Sequence, residues 1–170
     1  MKLLPVLALT LIVGPIVLLV AGQFGLLKGS MPDDLGVKDG KLKPPARTPN
    51  SVSSQAEGYD WDGATYARIA PLPVVGSGPN AAAETLTRIG AIAMKMPGAR
   101  IMVSSPDYLY VQFTTRWLRF VDDVEFYAPA GASVVHVRSA SRIGRKDFGV
   151  NRARIESIRA ALAGKAPAAP

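Results

Sequence analysis

Phe120-Val121-Asp122-Asp123-Val124-Glu125-Phe126-Tyr127 and, further on, Val137-Arg138-Ser139-Ala140-Ser141-Arg142-Ile143-Gly144-Arg145-Lys146-Asp147-Phe148-Gly149-Val150-Asn151-Arg152-Ala153-Arg154-Ile155-Glu156 are the two densest charge blocks of this chain. The first is acidic and reads as a strand with apolar residues on one side. The second is basic. It opens as a strand, passes through a glycine-containing loop and enters a helix expected from Arg152 to about Ala163. Asn151 reads as the N-cap of that helix, Ile155, Ile158 and Leu162 as its apolar stripe, and Gly164 as its stop.

Outward from these blocks the rest of the fold falls into order. Pro129-Ala130-Gly131-Ala132 has hairpin chemistry and joins strands Phe120–Ala128 and Ser133–Ser139. A two-residue turn at Ala130-Gly131 would set Phe126 opposite Val135 and Val124 opposite Val137 on the core side. On the other side Glu125 would face His136, and Asp123 would face Arg138. A slip by one residue would drive the charges into the core, so the pattern defends its own register. Two strands precede them, Arg100–Ser104 and Tyr108–Thr115, linked by the turn Ser105-Pro106-Asp107. A helix is expected from Asn80, acting as cap, to about Met96, with Leu86, Ile89, Ala93 and Met96 at helical spacing and Pro97-Gly98 as terminator. Asn50–Gln55 reads as a polar loop. The stretch from Trp61 to Val74, broken by Pro71 and Pro73, should pack along the domain edge. The expected fold is α+β, a four-stranded antiparallel meander with an N-terminal and a C-terminal helix on one face, preceded by a transmembrane anchor.

Leu3–Leu27 carries no charge over 25 residues, and about 20 suffice to cross a hydrocarbon core. The apolar part of a secretory signal is shorter, about 7–15 residues. Residues 1–27 are therefore expected to form a membrane anchor, with a cleaved signal as the alternative. Residues 28–47, rich in Pro, Gly and charge, read as a spacer, 48–163 as the globular domain and 164–170 as a disordered tail. Lys2 on the short N-terminal side puts that end inside and the domain outside. The location expected is a bacterial inner membrane, single-pass, with the domain in the periplasm, or free there if the segment is cleaved.

The net charge is +7, from 20 basic and 13 acidic residues. For a domain outside the cytoplasm this points away from nucleic acid and toward an anionic small molecule, lipid or envelope polymer. No specific protein partner can be read from the residues. Arg142, Arg145 and Lys146 lie before a helix start, and Arg152 and Arg154 lie in its first turn, where cations oppose the helix dipole. Something negative must compensate. It can be an internal carboxylate (Asp122, Asp123, Asp147 or Glu156) or a bound anion. Arg138, Ser139, Ser141, Arg142, Arg145, Asn151 and Arg152 are the candidate anion ligands. Asp122, Asp123, Glu125, His136 and Arg138 are the candidate structural ion pairs. Only Asp123 and Glu125 of the acidic block share a strand face, too few for a hard cation. No metal, cofactor or catalytic residue is expected. No Gly-x-Ser-x-Gly, phosphate loop or dinucleotide fingerprint occurs. A second reading is an envelope hydrolase using Asp123, Glu125 and His136, with a serine from Ser51, Ser53 or Ser54. A third is a structural component of an envelope complex. Trp117, with Arg116 and Arg119, lies at the turn between the second and third strands, where it could pack or touch a membrane or ligand.

Four stretches carry a family resemblance: Pro49-Asn50-Ser51-Val52-Ser53-Ser54-Gln55, Phe120 to Phe126, Val137 to Gly144, and Asp147 to Glu156. Over residues 48–163 the chain resembles the domain-of-unknown-function 1499 family. That resemblance implies a bacterial envelope protein with an N-terminal export or anchor segment, and relatives in plastids. It implies no activity. Many members carry cysteine where this chain has Ser51, so the resemblance implies no thiol chemistry here.

Overall fold

The computed structural model describes residues 3–165 apart from 58, 60, 62 and 63, and the side chains of residues 3–10 lie outside that description. The tail expected to fray lies, from residue 166 on, outside it too. The elements are α1 (Leu3–Gln23), β1 (Val37–Lys38), β2 (Lys41–Leu42), β3 (Ser51–Ser53), α2 (Ala64–Ala67), β4 (Leu72–Pro73), α3 (Ala81–Ala93), β5 (Ala99–Ser104), β6 (Tyr108–Thr114), β7 (Val121–Tyr127), β8 (Val134–Ser141) and α4 (Val150–Leu162).

The fold is α+β. The expected meander β5-β6-β7-β8 is present, antiparallel throughout, with α3 and α4 packed on one face. The sheet has six strands, however, because β3 and β4 both pair with the free edge of β8. The Asn50–Gln55 segment is thus a strand where a loop was expected. With three and two residues, these strands are too short to show a period. They form because β8 offers unpaired backbone groups along its outer edge.

The core lies between the sheet and the helices. Leu109, Val111 and Phe113 of β6, Val124 and Phe126 of β7, and Val135 and Val137 of β8 meet Leu86, Ile89, Ile155 and Ile158. Alternation along the strands dictates this face. The α3 helix ends at Ala93 because Pro97-Gly98 follows. Gly98 is left-handed, and a Cβ there would lie 2.1 Å from the Thr114 carbonyl oxygen. Asn80 makes no side-chain capping bond.

The β7–β8 register differs from expectation by two residues. Val134 and Val135 pair with Pro73 and Leu72 on the outer edge of β8, and on the β7 side the connection is longer than a two-residue turn, so the ladder begins at Tyr127 opposite His136. Glu125 therefore faces Arg138, and Asp123 faces Ala140. An even shift keeps every side chain on its expected face.

Two corrections concern the N-terminal region. The α1 helix ends at Gln23, so residues 24–27 do not extend it. Among the described residues no helix is long and apolar enough to cross a membrane. Residues 28–47, read as a spacer, are held against the domain. Leu42 and Pro45 are buried, and the Leu42 and Ala46 amides donate to Gln55 Oε1 and Ser51 Oγ, each at 2.8 Å. The Gly36 amide donates to Glu125 Oε1 at 2.8 Å, and Arg138 Nε donates to the Pro44 carbonyl at 3.4 Å. This strap covers the sheet face that the helices leave open.

Candidate functional site

The structure divides the arginine block among three environments. On the helix face, Asp122 points inward from β7, at the end of the apolar row Phe126 and Val124. Arg154 reaches it from α4, with Nη2 donating to Asp122 Oδ2 at 2.6 Å. The same guanidinium donates to Asn151 Oδ1 at 2.8 Å and Ser139 Oγ at 3.1 Å, and stacks 4.5 Å from the Phe113 ring centroid. Asn151, fully buried, accepts from Ser139 Oγ at 2.5 Å and donates to Ser141 Oγ and the Asn50 carbonyl, both at 3.1 Å. Polar atoms in a core must be paired, and this cluster pairs its own.

On the strap face, Arg142 grips Asp123 with two parallel bonds, Nε to Oδ2 at 2.9 Å and Nη2 to Oδ1 at 2.8 Å. Tyr110 OH donates to the same carboxylate at 2.6 Å. Burial, with the neighbouring carboxylate, pushes the Tyr110 phenol up to about 12. The hydrogen bonds that Arg142 donates to Asp123 raise its guanidinium above its ordinary value. Arg138 Nη1 donates to Glu125 Oε2 at 3.2 Å, and Tyr108 OH donates to Oε1 at 2.9 Å. Burial and the adjacent Glu125 raise the Tyr108 phenol strongly.

The third environment is the start of α4. Asn151 is not its cap. Gly149, with a left-handed φ of 85°, occupies the cap position. Asp147 accepts from the Gly149 amide at 3.0 Å and the Asn151 amide at 3.1 Å, and Tyr66 OH donates to it. Burial works against the Asp147 carboxylate, yet these hydrogen bonds outweigh it and its pKa falls below 3.8. Asp147 is thus the negative group that the cationic helix start required. Arg152 donates to the carbonyls of Tyr66 at 2.5 Å and Arg68 at 2.8 Å.

Of the seven candidate anion ligands, then, Arg138, Ser139, Ser141, Arg142, Asn151 and Arg152 are engaged within the fold, and Arg145 alone is exposed. Of the five residues proposed for structural ion pairs, Asp122, Asp123, Glu125 and Arg138 form them. The expected partners change with the register: Glu125 takes Arg138, not His136, and Asp123 takes Arg142, not Arg138. His136 instead stacks on Tyr127, and its Nδ1 lies 3.4 Å from Ser54 Oγ, which accepts from the Val137 amide at 2.9 Å. Burial lowers the His136 imidazole below 6.5, so it is neutral at pH 7.

The hydrolase grouping is not assembled. Asp123 and Glu125 are held by separate arginines, and Ser51 is buried beneath the strap. Ser53 and Ser54 line an open cleft of about 350 Å³ with Glu57 and Arg68. Ser54 Oγ lies 3.4 Å from His136 Nδ1, and neither Asp123 nor Glu125 is hydrogen-bonded to that imidazole. Among the described residues no His, Cys, Asp or Glu cluster could hold a metal. Arg154 and Tyr66 were missed as central members of these networks. The signal for Arg154 was available, since it sits beside Ile155 on the buried stripe. Tyr66 gave none, because it meets Asp147 only through the tertiary fold.

Neither a curated protein nor a solved structure matches this chain. A family profile described as "Protein of unknown function (DUF1499)" matches residues 41–162, taking in the end of the strap, the whole sheet beyond it and α4. The chain belongs to the DUF1499 family.

Proposed function

We propose that this protein is a membrane-tethered binding domain of the bacterial cell envelope, with α1 in the inner membrane and the sheet in the periplasm. One observation carries the reading: α1 is apolar along its length, yet its described side chains from Leu11 to Val20 are all exposed. An apolar helix left bare by its own domain needs another apolar environment. Its 21 residues correspond to about 30 Å of helix, the thickness of a hydrocarbon core.

The last turn of α1 supports a short, stiff tether. A Cβ on Gly22 would lie 2.7 Å from the Leu118 carbonyl oxygen, and Gln23 Nε2 donates to the Trp117 carbonyl at 2.9 Å. With the strap bound to the sheet, the domain stays close to the helix exit.

The anionic partner belongs with the cations that the fold leaves unengaged. Arg145 and Lys146 are exposed, whereas Arg138, Arg142 and Arg154 neutralise buried carboxylates. The reading is tested by alkaline carbonate extraction of membranes and by alkaline phosphatase fused to the C-terminus. Retention in the pellet with an active fusion is expected. Release into the supernatant, or an inactive fusion on a stable protein, would sink it.

A further inference from the structure

We propose that the end of the sheet from which α1 departs is a bilayer-contact surface, with Phe148 and Trp117 entering the interfacial layer and Arg116, Arg119, Arg145 and Lys146 meeting anionic phospholipid headgroups. The inference rests on the tether proposed above and names its anionic partner.

Topology brings these residues together. The β6–β7 turn, 115–120, and the β8–α4 loop, 142–149, leave the same end of the sheet, since Asp122 pairs with Ser141 and the Arg142 amide donates to the Val121 carbonyl at 3.1 Å. The end of α1 docks on that turn at Leu118, and Gly29 abuts Arg142 and Ile143 of that loop. Whatever lies around the end of α1 therefore faces both loops.

Phe148 is the least explicable residue of the fold in water. It is 93% exposed and has a left-handed φ of 54°, a conformation that a residue with a Cβ adopts only at a cost. The fold gives no packing in return. Val150, beside it, is half exposed, and Trp117 at the neighbouring turn is 62% exposed. Met94 is exposed at the same end, where α3 turns into β5. At the opposite end, the turn Ser105–Asp107 and the hairpin Pro129–Ala132 carry no large apolar side chain among the exposed, described residues. The remaining exposed apolar side chains, outside α1, lie just after that helix or on the edge strand β5.

Charge follows the same polarity. Arg116, Arg119, Arg145 and Lys146 make no ion pair among the described residues. The Arg116 guanidinium sits 4.9 Å from the Trp117 ring centroid. Aromatic side chains flanked by basic ones at the exit of an apolar helix match the chemistry of the bilayer interface, where rings enter the headgroup region and cations meet phosphates.

The test uses the full chain in lipid nanodiscs, with Phe148→Trp as sole indole in a Trp61→Phe, Trp117→Phe background. Lipids brominated near the headgroup end of the acyl chain act as the quencher, with and without anionic phospholipid. Expected are blue-shifted emission and roughly twofold quenching in anionic discs, falling toward the neutral-disc level with Arg145→Gln and Lys146→Gln. Water-like, unquenched emission in both disc types, from a chain that still co-floats with lipid, overturns the contact surface and leaves the tether standing. Equal quenching in neutral and anionic discs overturns the headgroup assignment. Loss of co-flotation overturns the tether and this inference with it. Because the reporter substitutions could perturb folding, Trp61→Phe alone, reading Trp117, repeats the measurement on the native loop.

Discussion

Replacing Arg142 with Gln should destabilise the domain strongly, although the residue lies in a loop at the margin of the sheet. Its guanidinium makes a two-pronged contact with Asp123, and the two side chains are 8% and 2% exposed. Breaking a buried pair from one side strands the other charge and costs about 3–5 kcal/mol. Two features point to the lower figure. Tyr110 OH remains as a donor to the carboxylate, and water can reach the site once the arginine is gone. A loss of about 3 kcal/mol in a domain of this size corresponds to roughly 12 °C in Tm. The assay is a thermal melt of the intact chain in mild detergent, monitored by near-UV circular dichroism. Arg145→Gln, which removes an equal charge from the same loop and breaks no ion pair among the described residues, should stay within about 0.5 kcal/mol of the parent. Adding Asp123→Asn to Arg142→Gln should recover more than half of the loss, because the stranded charge is then gone. If Arg142→Gln melts with the parent, the pair is not the structural lock inferred here, and the guanidinium becomes available to an external anion.

Other perturbations test neighbouring parts of the structure. Asp147→Asn should flatten the acid side of the stability profile: the folded carboxylate titrates below the ordinary 3.8, so its contribution is present above that pH and lost as pH falls through the lower folded value. A chemical-denaturation series from neutral to strongly acidic pH reads this, and an unaltered acid limb would count against the capping role. Gly98→Ala should lower Tm through a left-handed residue costing at least about 1–2 kcal/mol, compounded by a Cβ 2.1 Å from a carbonyl oxygen; an unchanged melt would refute the close approach of α3's end to β6. Gly22→Leu should undock the last turn of α1 and expose residues 24–33 to limited proteolysis without shifting the melt of the sheet. Equal cleavage rates in parent and variant would mean that the docked turn does not shield that segment.

Much of this architecture is legible from local chemistry. Alternation along β6 and β7, the turn residues at Ser105–Asp107 and Pro129–Ala132, and the apolar stripes of α3 and α4 each depend on neighbours a few positions apart. That is why the meander, the two helices, their shared face and the family were all within reach of the residues alone. The internal answer to the arginine block was also foreshadowed, since Asp122, Asp123 and Asp147 were among the few carboxylates able to provide it.

Partner choice was not written in the chain. Glu125 takes Arg138 rather than His136 because β7 and β8 are not joined by a two-residue turn at Ala130-Gly131: the connection is longer, and the ladder starts at Tyr127 opposite His136. Residues 28–47 have the composition of a linker, yet the strap supplies a backbone donor to Glu125 and an acceptor to Arg138. Those contacts join residues some ninety positions apart, and they arise because a charged sheet face must be covered by polar groups once it is taken out of water. The sequence determined the four strands of the meander, the two helices that cover it and the apolar face between them. Only the assembled tertiary structure, through the edge of β8 and the open face of the sheet, determined which charges would meet and which, at Arg145, Lys146 and beside Phe148, would be left facing outward.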